Sequence, residues 1–347
     1  MKKLFTPLMF VSALMLCYNA SSQGCAEPAS DEGVNVFGFF QPQFDYNFNE
    51  NPTGTFRFNR MRMGVMGNIP YDFSYYAVLE TSPFFNDEGQ MFLLDAFITY
   101  SRFNFARVSV GQFKKPLGLE LITACSGLHT ILRSEVVNNL TGPTNRDIGM
   151  MILGGNATTL FSYRLAIMNG SGLNIMNTDK FMDYYGRLDF RPIQGITIGG
   201  SFLFGRDVSA TEGAPNDERW RYGADIDFQR NNLRIQSEYL YGNDVGSYTT
   251  GGGCDGGPAE VHQGSIQRDG FFVMGMYNIT PAIQPIIKYE QYDADKNDVT
   301  KLHQTTTFGI NYFFNDWTRL QINYLYRAED PTEIENDALL MQIQVKF

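Results

Sequence analysis

The chain has 347 residues, long enough for a sizeable core, and it is acidic: 27 Lys and Arg against 37 Asp and Glu give a formal net charge of −10. Nucleic acid is a poor partner for such a chain, because binding it needs a basic footprint. Aromatic residues make up 14% of the sequence, with 29 Phe, 19 Tyr and only 2 Trp, and there are 34 Gly. Beyond the N-terminus no stretch approaches the roughly 20 apolar residues of a membrane helix, so the expectation is all-β.

The N-terminus has the pattern of an export leader. Lys2 and Lys3 precede the mostly apolar run Leu4 to Leu16, and Ala20-Ser21-Ser22 supply small residues before a cleavage expected at Gln23. Residues 1–22 are then a signal peptide, 23–33 a short periplasmic segment and 34–347 the folded domain. The competing reading, an anchoring helix, fails on length. Cys25, Cys125 and Cys254 remain after cleavage; the odd number leaves a thiol over, and the spacings match no zinc motif. A bridge between Cys125 and Cys254 requires their Cα atoms to come within about 7 Å.

From Val34 onward the period is two. Val34, Val36, Phe40, Phe44 and Tyr46 fall on one face; Asn35, Gln41, Gln43, Asp45 and Asn47 fall on the other. Alternation of this kind predicts a strand with one apolar and one polar face. Further segments follow at Phe56–Ile69, Phe73–Glu80, Leu93–Tyr100 and Asn104–Gly111. After a long interruption come Ile148–Gly154, Leu160–Met168, Met182–Phe190, Ile196–Phe204, Trp220–Phe228 and Leu233–Tyr241. Phe271–Ile279, Pro285–Tyr292, Thr305–Phe313, Thr318–Arg327 and Ala338–Phe347 close the series. These are about sixteen segments, each near the roughly 9–11 residues that cross a membrane as tilted strands.

The connections separate architectures better than the strands do. Asn68–Asp72, Ser101–Phe103, Gly155–Thr159, Arg191–Gly195, Gln229–Asn232, Thr280–Gln284 and Asn315–Trp317 are tight. Most of those between them are long, notably Gly205–Arg219 and Gly242–Gly270. Short turns on one rim and long loops on the other predict a transmembrane antiparallel β-barrel in an outer membrane, its outer surface in lipid. The longest interruption, residues 112–147, contains a helical-looking piece, Leu119 to Val136. It is expected to fold into the lumen as a constriction loop, since structureless loops beyond about 12–15 residues are uncommon and tend to be functional.

At this point the sequence resembles a known family. Val110-Gly111-Gln112-Phe113-Lys114-Lys115-Pro116, Arg60-Met61-Arg62, Arg146-Asp147-Ile148-Gly149 and Tyr185-Gly186-Arg187-Leu188 are similar to motifs of the phosphate-selective porin O and P family. The resemblance covers essentially the whole mature chain. It implies a sixteen-stranded barrel, usually a homotrimer, that passes small anionic solutes such as phosphate or polyphosphate, with no cofactor and no metal. It also implies that the outer-membrane assembly machinery reads the terminal strand ending in Phe347.

On the face opposite the lipid the strands place Arg60, Arg62, Arg107, Arg164, Arg187, Arg221, Arg234, Lys288 and Arg319. They also place Glu80, Asp95, Asp189, Asp225, Asp227, Glu238 and Glu290 there. Lys114, Lys115, Arg133 and Arg146 lie in or beside the long loop. Two readings stand side by side: a wall balanced by salt bridges, or unpaired cations gathered at the narrow level, where a ring of one sign gives anion selectivity. A general porin or a structural or adhesive barrel are the alternatives in function. An enzyme would need a Ser, a His and an acid to converge, and His129, His262 and His303 are all expected in or beside loops. A gated receptor would need a plug domain, for which the segment before the first strand is too short.

Overall fold

A computed structural model describes residues 33–49, 51–85, 89–141, 145–209, 216–250, 260–298, 301–329 and 335–347. The expected signal peptide and Cys254 fall outside the described residues. Sixteen strands form one closed antiparallel barrel in sequence order. The first five are β1 (Asn35–Asn47), β2 (Thr53–Ile69), β3 (Phe73–Glu80), β4 (Phe92–Tyr100) and β5 (Arg107–Lys114). Next come β6 (Arg146–Gly154), β7 (Phe161–Met168), β8 (Asp183–Phe190), β9 (Ile196–Asp207), β10 (Asp217–Arg230) and β11 (Leu233–Thr250). The last are β12 (Glu260–Tyr277), β13 (Ile283–Asp293), β14 (Leu302–Phe313), β15 (Thr318–Glu329) and β16 (Ala338–Lys346).

Closure removes every free edge, the condition for strands in hydrocarbon, where unpaired backbone groups find no water. At the seam Gly38 N–H donates to the Phe347 carbonyl at 3.0 Å and Phe347 N–H returns the bond to Gly38 at 3.1 Å. The Phe40 and Phe347 rings meet there, 5.3 Å between centroids. Opposite Gln41 and Pro42 the β1–β2 register shifts; proline has no N–H to give a ladder, so a bulge is where it is tolerated.

The sidedness is that of a membrane barrel. Leu79, Ile98, Val110, Leu165, Leu188, Phe202 and Phe308 are exposed on the outside, whereas Gln41, Arg187, Asn311, Gln321 and Gln344 are buried on the inside. Strand positions agree with the sequence periodicity, but some limits move. β11 and β12 run on to Thr250 and from Glu260, so the connection expected at Gly242–Gly270 is largely strand. That extension pairs Asn243 with Gln267 and Asp244 with Ile266, and it lacks a consistent apolar face to announce it. His262 and His303 accordingly lie in β12 and β14 rather than in loops.

The long interruption is also shorter than the expected 112–147. Gln112, Phe113 and Lys114 pair with Ile148, Asp147 and Arg146 in the β5–β6 ladder, leaving residues 115–145 between the strands. The helix expected at Leu119–Val136 is broken. Two short helices, α1 (Leu119–Ile122) and α2 (Glu135–Leu140), flank a stretch with one 3-10 turn, Cys125–Gly127. Wall side chains bind backbone groups within this stretch and hold it in a non-helical path.

Candidate functional site

Segment 115–145 crosses from β5 to the opposite wall and is fixed there by two kinds of contact. The first is apolar. Leu117, Leu121, Val136, Val137 and Leu140 are all buried, packed with Met168, Tyr185, Leu203, Leu240, Phe272 and Met274 of the wall. Burying each such aliphatic side chain contributes about 1.5–3 kcal/mol. The wall is therefore apolar on its inner face where the segment rests, against the polar lining expected of a lumen.

The second is polar. The Glu238 carboxylate on β11 accepts the backbone N–H groups of Leu119 at 3.0 Å and Glu120 at 2.8 Å, the otherwise unsatisfied donors at the start of α1. Gly118 makes this approach possible. Its φ of +67° favours glycine, and a Cβ there would fall on the Glu238 carboxylate oxygen. Glu120 then accepts Ser134 N–H at 2.6 Å and Ser134 Oγ–H at 2.7 Å, and Lys288 reaches Glu120 at 3.4 Å and Glu290 at 2.8 Å.

Further along, Arg319 donates to the Ser126 carbonyl at 3.1 Å, as does Gln344 at 3.2 Å. Gln321 donates to the His129 carbonyl at 2.9 Å, and Asn323 accepts Ile131 N–H at 2.8 Å. The Ile131 N–H is thereby spent on a side chain, and the wall groups on the Ser126 and His129 carbonyls favour an extended path there over a continuous helix. Arg234 donates to His129 Nε2 at 3.3 Å, which requires a lone pair on that nitrogen. Burial, with Arg234 and Arg319 nearby, pushes the His129 imidazole down to about 4.

The wall cations divide into two groups. On the far wall they are neutralised by carboxylates. Arg187 grips Asp225 at 2.7 and 3.0 Å and Asp189 at 2.7 Å. Arg221 pairs with Asp244 at 2.7 Å and also holds the Leu140 carbonyl at 3.0 Å; Arg234 pairs with Asp227 at 2.6 Å. For these residues the salt-bridged reading describes the geometry.

A second group lies at a cavity of about 530 Å³ between β1–β7, the C-terminal end of β16 with Trp317, and the near edge of the segment, with Pro116, Ile122 and Ala124 on its wall. Arg62, Lys114, Arg146, Arg164 and Lys346 line it together with Asp95 and Cys125. Arg146 is held bidentately by Asp95 at 3.1 and 3.2 Å, and Arg62 by Glu80 at 2.6 Å. Lys114 donates to the Thr123 carbonyl at 2.7 Å. Arg164 lies 3.6 Å from Asp189, with its side chain 34% exposed.

Arg60, Arg107, Lys115 and Arg133 do not line this cavity. Arg60 donates to Gln41 at 3.3 Å and to the Ile131 carbonyl at 3.4 Å, bracing the segment. Arg107 lies at the short-turn rim, donating to the Gly155 carbonyl at 2.6 Å. Lys115 is buried with its ammonium 3.4 Å from the Thr141 carbonyl. Arg133 is buried inside the segment, 3.1 Å from the carbonyls of both Glu120 and Thr123.

Cys125 is a buried free thiol, with Sγ 2.9 Å from Arg62 Nη1 and 3.3 Å from Arg133 Nη2. Burial alone would raise this thiol, but Arg133, Arg62 and Arg60 outweigh it and hold it well below the usual range.

Several residues escaped the sequence reading. Glu238 was recognised as a lumen carboxylate but not as the anchor of α1. Arg219, bound to Asp183 at 3.1 Å and also to Asp207, and Arg268, bound to Asp244, went unremarked as lumen charges. A signal for the apolar seat did exist: Leu240, Phe272 and Met274 stand on the face that Glu238 and Arg234 mark as inner.

The family profile described as Phosphate-selective porin O and P matches residues 34–195 and 205–347. No curated protein gives a significant match. Among solved structures, the anion-selective porin from Comamonas acidovorans superposes with a TM-score of 0.71 at 11% identity, covering 91% of this chain and 100% of that one. Salmonella typhi OmpF in complex with daunomycin gives 0.70 at 11% identity, with 91% and 98% covered. The trimer form of in-vitro folded OmpT, an outer membrane protein of Vibrio cholerae, gives 0.64 at 12% identity, with 92% and 100% covered. At such identities the likeness concerns the fold.

Proposed function

The chain belongs to the phosphate-selective porin O and P family and is an outer-membrane channel, and we propose that it passes small hydrophilic anions, phosphate or short polyphosphate among them, by passive diffusion. Segment 115–145 is the constriction in this reading, and the solute path runs through the cavity beside it. The observation that carries the proposal is the division of the charges. Cations on the far wall are closed by carboxylates, whereas at the cavity Lys114 donates to the Thr123 carbonyl and Arg164, 34% exposed, meets Asp189 only at 3.6 Å, a carboxylate it shares with Arg187. In a narrow, partly desolvated passage such charges are screened less than on an open surface, so a small excess outweighs the chain's overall acidity. The family name supports phosphate as cargo, and the trimer form of one structural neighbour supports a homotrimer. A general porin of weak selectivity is the second reading, favoured by Asp95 and the Cys125 sulfur in the same cavity.

The test is the reversal potential of the purified barrel in a planar bilayer under a KCl gradient. The Lys114→Gln/Arg164→Gln double variant is expected to lower the anion-to-cation permeability ratio, less so as salt rises. Lys180→Gln, outside the strands, is expected to leave it unchanged. A cation-selective wild type, or a double variant with the wild-type potential, refutes the basic passage. Competition by phosphate, sulfate and short polyphosphate then ranks the cargo.

A further inference from the structure

The cavity that gathers the cations also carries an aromatic strip that anion conduction by itself does not use. Phe37 on β1 meets Tyr76 on β3 at 5.1 Å between centroids; Tyr76 stacks on Phe97 of β4 at 5.2 Å and 26°; Phe97 meets Phe113 of β5 edge-on at 6.1 Å and 84°. All four rings line the cavity. Strand β2 lies between Phe37 and Tyr76, and the strip crosses it only because Gly64 is there. A Cβ at Gly64 would stand 2.7 Å from Phe37 Cζ and 2.8 Å from Val78 Cγ2.

A porin lumen is normally polar, and small inorganic anions gain nothing from a ring face. Apolar walls with a few well-placed charged groups are instead the make-up of sites for small organic molecules, which fill cavities of about 300–1,000 Å³. Phe39 also lines the cavity, with the Arg62 guanidinium 5.7 Å from its ring centre, so cation and ring surface are adjacent. Lys114, Arg146 and Arg164 line the same cavity as the strip, so cations able to take a carboxylate share its enclosure with the rings, Arg146 being already held by Asp95. Resting on the anion reading above, we infer that this cavity is a binding site for small organic anions with an aromatic or flat apolar body, aryl carboxylates being the simplest, in preference to inorganic anions of equal charge.

The test uses single channels of the mature barrel carrying chloride, with benzoate, acetate, phosphate or benzyl alcohol added to either side. Benzoate is expected to block at roughly tenfold lower concentration than acetate or phosphate, the ratio one ring contact supplies. Benzyl alcohol, with the ring but not the charge, is expected to block no better than acetate. The benzoate-to-acetate ratio is expected to fall toward one in Phe97→Leu and in Tyr76→Leu, each first checked for heat-modifiable migration as a folded barrel. Equal block by benzoate and acetate in the wild type overturns the inference and needs no variant. So does a ratio untouched in both folded variants, or benzyl alcohol matching benzoate. Equal block with intact anion preference in KCl removes only the aromatic site. A benzoate advantage without that preference keeps the site and removes the selectivity reading.

Discussion

Gly118→Ala isolates what seats segment 115–145 without touching the cavity's charges. At Gly118 φ is +67° and ψ is 171°, a region almost exclusive to glycine; an alanine there costs about 1–3 kcal/mol in backbone strain. The new Cβ also collides with the Glu238 carboxylate, whose displacement breaks its bonds to Leu119 and Glu120 N–H. Each hydrogen bond to a charged group is worth about 1.5–3 kcal/mol. Together the losses rival the burial of Leu117 and Leu121 at about 1.5–3 kcal/mol each. At α2 they remove at most what Glu120 gives Ser134, while Val136, Val137 and Leu140 keep their own contacts with the wall. The N-terminal half of the segment is therefore expected to come loose while the barrel and α2 persist. Single-channel recording should show altered conductance and higher open-channel noise, because Pro116, Ile122 and Ala124 border the cavity. Glu238→Gln, which keeps one acceptor oxygen, is expected to give a weaker form of the same change. Wild-type conductance and noise in folded Gly118→Ala barrels would refute the anchoring argument.

Removing Arg187 with alanine strands Asp225 in a buried site; such a loss costs about 3–5 kcal/mol, read as a lower thermal midpoint or a smaller heat-modifiable fraction, and an unchanged midpoint counts against the pairing. His129 supplies a pH dependence: its value of about 4 in place lies below that of the released imidazole, near 6.5. The seat is therefore fully stable above about 6.5 and weakens as pH falls toward 4, the released state taking up the proton first. His129→Gln is expected to flatten that part of the pH profile of channel noise or melting; identical profiles would exclude this role.

The fold was legible because alternation and loop-length asymmetry are local signals that survive without any knowledge of pairing. All sixteen strands lie where the period of two places them. The site was legible only in part. Arg62, Lys114, Arg146 and Arg164 meet at one cavity, but nothing in their spacing separates them from Arg187 or Arg221, whose carboxylate partners sit 38 and 23 residues away. Arg107 illustrates the limit: facing the lumen is a property of phase, whereas height along the barrel depends on register and tilt. The break in the expected helix was hidden for a related reason. Its cause lies in Gln321, Asn323 and Gln344, far down the chain, and local propensity yields to such partners.

Those distant partners also constrain the order of assembly. Ile131 is tied to Asn323 across 192 residues of sequence, and Ser126 to Gln344 across 218. Until β15 and β16 arrive, the middle of the segment lacks the bonds from Arg319, Gln321, Asn323 and Gln344, although Arg60, Arg234 and Asn311 can already hold Ile131 and His129. Zipping β16 onto β1 then does two things at once: it closes the sheet and clamps residues 126–131 inside it. A segment still outside when the seam closed would be locked out. Seating the segment therefore draws on contacts as distant in sequence as the closure itself, the kind of non-local pairing that makes such topologies slow to fold.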